Sequence, residues 1–117
     1  MTKPLEGTWR QVAATENGEA IDHGDDVILE MVDSRFTVTR NGALEIEGTF
    51  TVDSNQNPMS IDWKDRFGAD SGKIFKAFCV VQQDYFEFSA ADEGLPRPER
   101  LEATQGHTVR RFVRLRD

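Results

Sequence analysis

The chain has 117 residues, a length that suits one domain around one hydrophobic core. Hydrophobic residues make up 38% of it and charged residues 30%, which is enough apolar material for a core and too little charge excess to keep the chain unfolded. The formal net charge of -7 repels a phosphate backbone at long range and excludes general nucleic-acid binding.

Apolar residues recur at every second position in run after run, and Asn, Asp, Gly or Pro bounds each run. That is the pattern of short antiparallel strands and tight turns. Residues 6 to 14 around Trp9 form the first expected strand, and "EAIDHGDD" after it leaves room for a short helical turn. "DVILEMV" and "RFTVTR" follow, joined at Asp33 and Ser34. Asn41-Gly42 then marks a hairpin, because both residue types tolerate positive φ. In "ALEIEGTFTVD" alternation turns Leu44, Ile46, Gly48, Phe50 and Val52 to one face and Glu45, Glu47, Thr49 and Thr51 to the other. "MSIDWKD" sets Met59, Ile61 and Trp63 against Ser60, Asp62 and Lys64. "GKIFKAFCVVQ" and "DYFEFSA" come next, linked near Gln83 and Asp84. The prolines of "GLPRPER" place residues 92 to 100 in a surface loop, and "TVRRFVRLR" closes the chain.

About eight consecutive strands with no long crossover predict an all-β, up-and-down antiparallel barrel spanning residues 1–117 as one domain, its first and last strands paired. In such a barrel a glycine lets the first strand kink as it enters, and the next inward residue plugs the floor. "LEGTW" supplies both, Gly7 and Trp9. The indole needs a partner for its N–H and its ring face attracts a cation, so Arg114 or Arg116, at the end of the closing strand, is expected to cover it.

A Gly-x-Trp on the opening strand with an arginine ending the last one resembles the lipocalin and fatty-acid-binding superfamily. Across nearly its full length the chain is also similar to an uncharacterised lipocalin-like domain family found chiefly in planctomycete bacteria. "LEGTW", "GTFTVD" followed by "PMSIDW", Gly72-Lys73, "RPER" and "GHTVRRFVRLR" carry that likeness in order and spacing. Ala77 and Cys79 stand where that family often has a glycine and a tyrosine, and Ser89 where a cysteine is common, so no thiol-based role is carried over. The resemblance implies a lipocalin-like barrel with a small-ligand pocket and lends no established activity.

No constellation of catalytic residues emerges. "DSNQNP" opens like a calcium loop, but Pro58 and Lys64 stand where glycine and glutamate are needed. "GADSGK" is one residue short of a phosphate-binding loop, and Ile74 follows its lysine. "IDHGDD" gathers Asp22, His23, Asp25 and Asp26, enough for a weak divalent site and equally a polar turn. His23 and His107 are the only imidazoles, and no G-x-S-x-G supports a nucleophile. The expectation is a non-enzymatic protein without cofactor or metal. Cys79 is the only cysteine, which excludes an intramolecular disulfide and a Cys-based zinc site and makes it a small core residue. "MTKPLEG" lacks the apolar run of a secretory leader, and no apolar stretch reaches membrane-spanning length, so a cytoplasmic protein without membrane insertion is expected.

Candidate pocket residues are the alternating aromatics Phe36, Phe50, Trp63, Phe78, Phe88 and Phe112, with Phe86 beside them. Eight strands enclose an interior that side chains fill, or that holds one small ligand. If Ile74, Phe78 and Val80 face inward, Lys76 does too, and it then anchors the carboxylate of an apolar acid. The opposite register buries Phe75, Ala77, Cys79 and Val81 and turns Lys76 outward, and since both faces are apolar a helix or a loop would cover the outer one. The expected partner is a small apolar or amphipathic molecule. Two alternatives are a protein-interaction module acting through "EGLPRPER" and the arginines of the last strand, Arg110, Arg111, Arg114 and Arg116, and a metal enzyme using Asp22, His23 or Asp26.

Overall fold

The computed structural model describes residues 5–21, 24–53, 55, 59–68, 71–98 and 106–115. Among these residues nine strands follow in chain order: β1 (Gly7–Glu16), β2 (Glu19–Ala20), β3 (Val27–Val32), β4 (Arg35–Arg40), β5 (Ala43–Asp53), β6 (Met59–Phe67), β7 (Ile74–Gln82), β8 (Tyr85–Ala91) and β9 (His107–Arg114). Each pairs antiparallel with its neighbour, and β1 pairs with both β3 and β9, so eight strands close into an up-and-down barrel with β2 appended to β1. The helical turn expected at "EAIDHGDD" is replaced at Glu19 and Ala20 by β2, while Asp22 and His23 lie outside the described residues. Asn17-Gly18 makes that small hairpin as Asn41-Gly42 makes the next, with φ of 53° and 86° in the first and 52° and 86° in the second, the left-handed pair a two-residue turn requires.

Inward side chains follow the alternation of each strand except where a bulge shifts it. Trp9 and Gln11 point inward, the β1–β9 register slips between Gln11 and Ala13, and Ala14 and Glu16 then take the inner side while Val12 is exposed. A second slip in the β4–β5 register, between Val38 and Thr39, pairs Val38 with Ile46 but Thr39 with Leu44. Leu44, expected to face the core, is therefore turned out to solvent, because the extra residue Glu45 reverses the alternation at that end. Gly48 faces inward as expected, where a Cβ would come within 2.7 Å of Phe36 Cε1 and 2.1 Å of the Lys64 carbonyl oxygen.

The two ends of the barrel differ. At one end Trp9 and Leu5 are fully buried and the indole Nε1 donates to the Leu5 carbonyl at 2.9 Å. Arg114 lies over the ring, its Cζ 4.1 Å from the centroid, and donates through Nη1 to the Glu6 carbonyl at 2.6 Å and through Nε to the Gln83 carbonyl at 2.8 Å. A Cβ on Gly7 would fall 2.6 Å from that Nη1, and Gly7 has φ of +131°. The glycine is there because the guanidinium passes over it in a conformation that L side chains rarely adopt. Arg116 lies outside the described residues.

Above this plug an aromatic stack fills the middle of the barrel. Trp9 meets Phe86 at 5.5 Å between ring centroids, Phe86 meets Phe112 at 5.7 Å, and Phe88 meets Trp63 at 5.0 Å. Phe36 and Phe50 pack on Trp63 from the other wall at 5.0 and 5.8 Å.

The outer surface of β6 to β9 carries a second buried row. Ser60, Phe78, Ser89 and Val109 are consecutive cross-strand partners facing outward, and all four are buried. The chain after β8 returns across this face: Arg97 donates through Nη1 to Asp62 Oδ1 and to the Ala77 carbonyl, both at 2.6 Å, and Pro98 is buried. The expected surface loop is thus partly a covering layer, at least to Pro98; Glu99 and Arg100 lie outside the described residues. This covering accounts for two apolar faces on one strand.

Candidate ligand-binding site

At the end opposite the Trp9 plug, where the turns at 17–18 and 41–42 lie, the barrel interior opens into a cavity of about 250 Å³. Its floor is Trp63, Phe88 and Phe112, with Gln11 beside Phe112, its wall is aliphatic through Val27, Leu29, Val38 and Ile46, and its upper part carries Glu16, Arg40, Glu45, Asp65 and Arg110. The aromatic stack fills the barrel below, and this cavity lies above it.

Arg110 is set in this space by alternation alone. On β9 it shares the inner face with Thr108 and Phe112, its direct cross-strand partner is Phe88, and on the other side it faces Ala14 of β1. Its guanidinium donates to Gln11 Oε1 at 2.8 Å and, among the described residues, enters no ion pair. Burial lowers its pKa below the ordinary guanidinium value, and the nearby charge of Arg40 lowers it further, while Glu16 and Glu45 act in the opposite sense. The side chain stays charged at neutral pH all the same, because a guanidinium does not deprotonate in proteins. A half-buried cation whose hydrogen bond goes to a neutral amide keeps donors to offer an incoming anion.

Arg40 differs although it lines the same cavity. It donates to Glu45 at 2.9 Å and to Asp25 at 2.8 Å, and these bonds raise its pKa. Asp25 also accepts from Asn41 Nδ2 at 3.0 Å, and Asp26 pairs with Arg10 at 3.1 Å. Of the four residues sequence reasoning considered for a metal, Asp25 and Asp26 are thus engaged with cations and amides of the hairpin ends. Trp63, at the floor, keeps its indole Nε1 buried without an acceptor among the described residues.

The structure distributes the expected pocket residues unequally. Trp63, Phe88 and Phe112 line the cavity, whereas Phe36 and Phe50 lie in the packed core around Trp63. Phe78 is buried on the outer face beneath the returning chain, not inside the barrel. Lys76 is exposed on that outer face, opposite Asp62, so the register that buries Phe75, Ala77, Cys79 and Val81 is the one present. The cations that line the cavity are Arg40 and Arg110, and sequence reading grouped Arg110 with the arginines of the last strand. The phase of β9 was the available signal: in "TVRRFVR" the position of Phe112 fixes Arg110 on the same side.

That phase also divides the basic strand. Arg111 faces outward and donates to Glu87 Oε2 at 2.8 Å, and Glu87 accepts a second bond from the Tyr85 hydroxyl. Arg110 is inside and Arg114 seals the plug, so the three described arginines of the strand do not share one surface. Comparisons of the chain with protein-family models, with curated proteins and with solved structures find no match.

Proposed function

We propose that this protein is a non-enzymatic small-molecule carrier whose barrel interior holds one amphipathic ligand, with the ligand's anionic group on Arg110 and its apolar body on Trp63, Phe88 and Phe112. Arg110 carries the reading: a charged donor set over an apolar floor, bonded to one neutral amide oxygen. An eight-strand barrel with a small interior space suits such a role. Kinship with the lipocalin-like planctomycete family belongs to the same proposal, supported by the closed barrel and by the Gly7, Trp9 and Arg114 arrangement. A cytoplasmic setting belongs to it too. No helix among the described residues is long and apolar enough to cross a membrane, and the outer faces of β3 and β5 carry Glu30, Glu47 and Thr51.

The test is titration with an anionic naphthalene-sulfonate probe followed by its fluorescence. Saturable one-site binding in the wild type, weakened at least ten-fold in Arg110→Gln, is expected. Probe binding that is absent, or unchanged in Arg110→Gln, rejects the reading.

A further inference from the structure

The dimensions of the site restrict its occupant. Arg110 and Phe112 are two residues apart on one strand, which separates them by about 7 Å. An anion on the guanidinium thus has the aromatic floor immediately beneath it. That floor is closed. Phe88 and Phe112 stack at 6.0 Å with planes 17° apart, Phe86 lies 5.7 Å from each of them, and Trp9 with its guanidinium cover lies below Phe86. This stack lies between the cavity and the lower barrel.

The space itself, about 250 Å³, is below the range of about 300–1,000 Å³ usual for ligand pockets. A long alkyl chain anchored at Arg110 has nowhere to extend except back through the mouth. There it would meet Glu16, Arg40 and Glu45 and give up the apolar contact that favours it. A flat ring attached directly to the carboxylate suits the same space: one face lies on Phe88 and Phe112 and the other meets Val27, Val38 and Ile46 across the cavity. A rigid ring also loses fewer rotatable bonds on binding than a chain of equal carbon number.

We infer that the ligand is a compact carboxylic acid bearing one or two rings, a size limited by the cavity volume and by the aromatic stack beneath it, and not a long-chain lipid. This inference rests on the proposed interior binding at Arg110 and narrows it to a chemical class.

Calorimetric titration of the full chain with benzoate, 2-naphthoate, hexanoate, hexadecanoate and the neutral 2-naphthylmethanol tests it. The two ring acids are expected to bind at one site, with the better of them at least ten-fold tighter than either alkyl acid. Arg110→Gln should weaken the ring acids at least ten-fold and the neutral alcohol less than three-fold. Should Arg110→Gln fail to fold, Val38→Phe, which fills the cavity from the opposite wall, is expected to abolish ring-acid binding. Tighter binding of hexadecanoate, lost in either variant, overturns the size argument and leaves interior anion binding standing. Acids that do not bind, or that bind equally to wild type and both variants, overturn the two together.

Discussion

Replacing Gly7 by alanine adds one methyl group at the point where the two ends of the chain meet. The backbone there has φ of +131°, and the new Cβ would sit 2.6 Å from Arg114 Nη1. Forcing an L residue into that region costs about 1–3 kcal/mol. The guanidinium must also shift, which weakens a charge-assisted bond to the Glu6 carbonyl worth about 1.5–3 kcal/mol and a contact over Trp9 worth about 0.5–2 kcal/mol. Because the clash is with the far end of a flexible side chain, only part of the second cost is realised, and a total of about 3 kcal/mol is expected. With an unfolding entropy of about 2.1 cal/mol/K per residue, that is a fall in Tm of about 12 °C. Urea unfolding of wild type, Gly7→Ala, Arg114→Leu and the double variant separates the two causes. In the Arg114→Leu background Gly7→Ala should cost about 1–2 kcal/mol less than in wild type, since the clash is gone and the backbone strain remains. A Gly7→Ala protein within about 0.5 kcal/mol of wild type, or strictly additive effects, would refute the reasoning.

Ser89 is fully buried on the outer face, and its Oγ has no partner among the described residues; Ser89→Ala should raise stability by about 1 kcal/mol, seen as a Tm about 4 °C higher, whereas a clear fall would show that the hydroxyl is satisfied. Burial pushes the Cys79 thiol from its ordinary 9.0 up to about 12, so it should resist alkylation at pH 8 in the folded protein and react at once in urea. The sign of its pH effect follows from the same shift. Above pH 9 the unfolded thiol loses its proton while the folded one keeps it, so its contribution to stability is fully present below pH 9 and falls away between pH 9 and about 12. The slope is up to about 1.4 kcal/mol per pH unit and should be absent from the difference curve of Cys79→Ala, while equal slopes in both proteins would exclude the effect. Lys76→Glu changes an exposed outer residue and should leave probe affinity within two-fold of wild type; a ten-fold loss would place Lys76 at the site after all.

The barrel was legible because its determinants are local. Alternation in "ALEIEGTFTVD" and "MSIDWKD", Asn-Gly at the turns and Gly7-x-Trp9 each specify an element without knowledge of its neighbours. What failed is what depends on the pairing. The extra residue at Glu45, which turned Leu44 outward, appears only when β5 is laid against β4. The register of β7 could not be chosen because both its faces are apolar, and the reason lies twenty residues on, where Arg97 ties the returning chain to Ala77 and Asp62. The candidate site was half legible for the same reason. Trp63, Phe88 and Phe112 follow from alternation, but Lys76 stood out as the single cation in an apolar run, while Arg110 was hidden among arginines whose common charge obscured the different directions of Arg110, Arg111 and Arg114.

The most direct test of an interior site at Arg110 is NMR of the ¹⁵N,¹³C-labelled protein with 2-naphthoate, observing the Arg110 Nε–H resonance and intermolecular NOEs. The expected result is a downfield shift of Arg110 Nε–H on saturation, with NOEs from the naphthyl protons to the rings of Phe88 and Phe112 and to the methyls of Val38. An unmoved Arg110 resonance, or NOEs confined to outward-facing side chains such as Phe67, Ile74 and Val113, would contradict it.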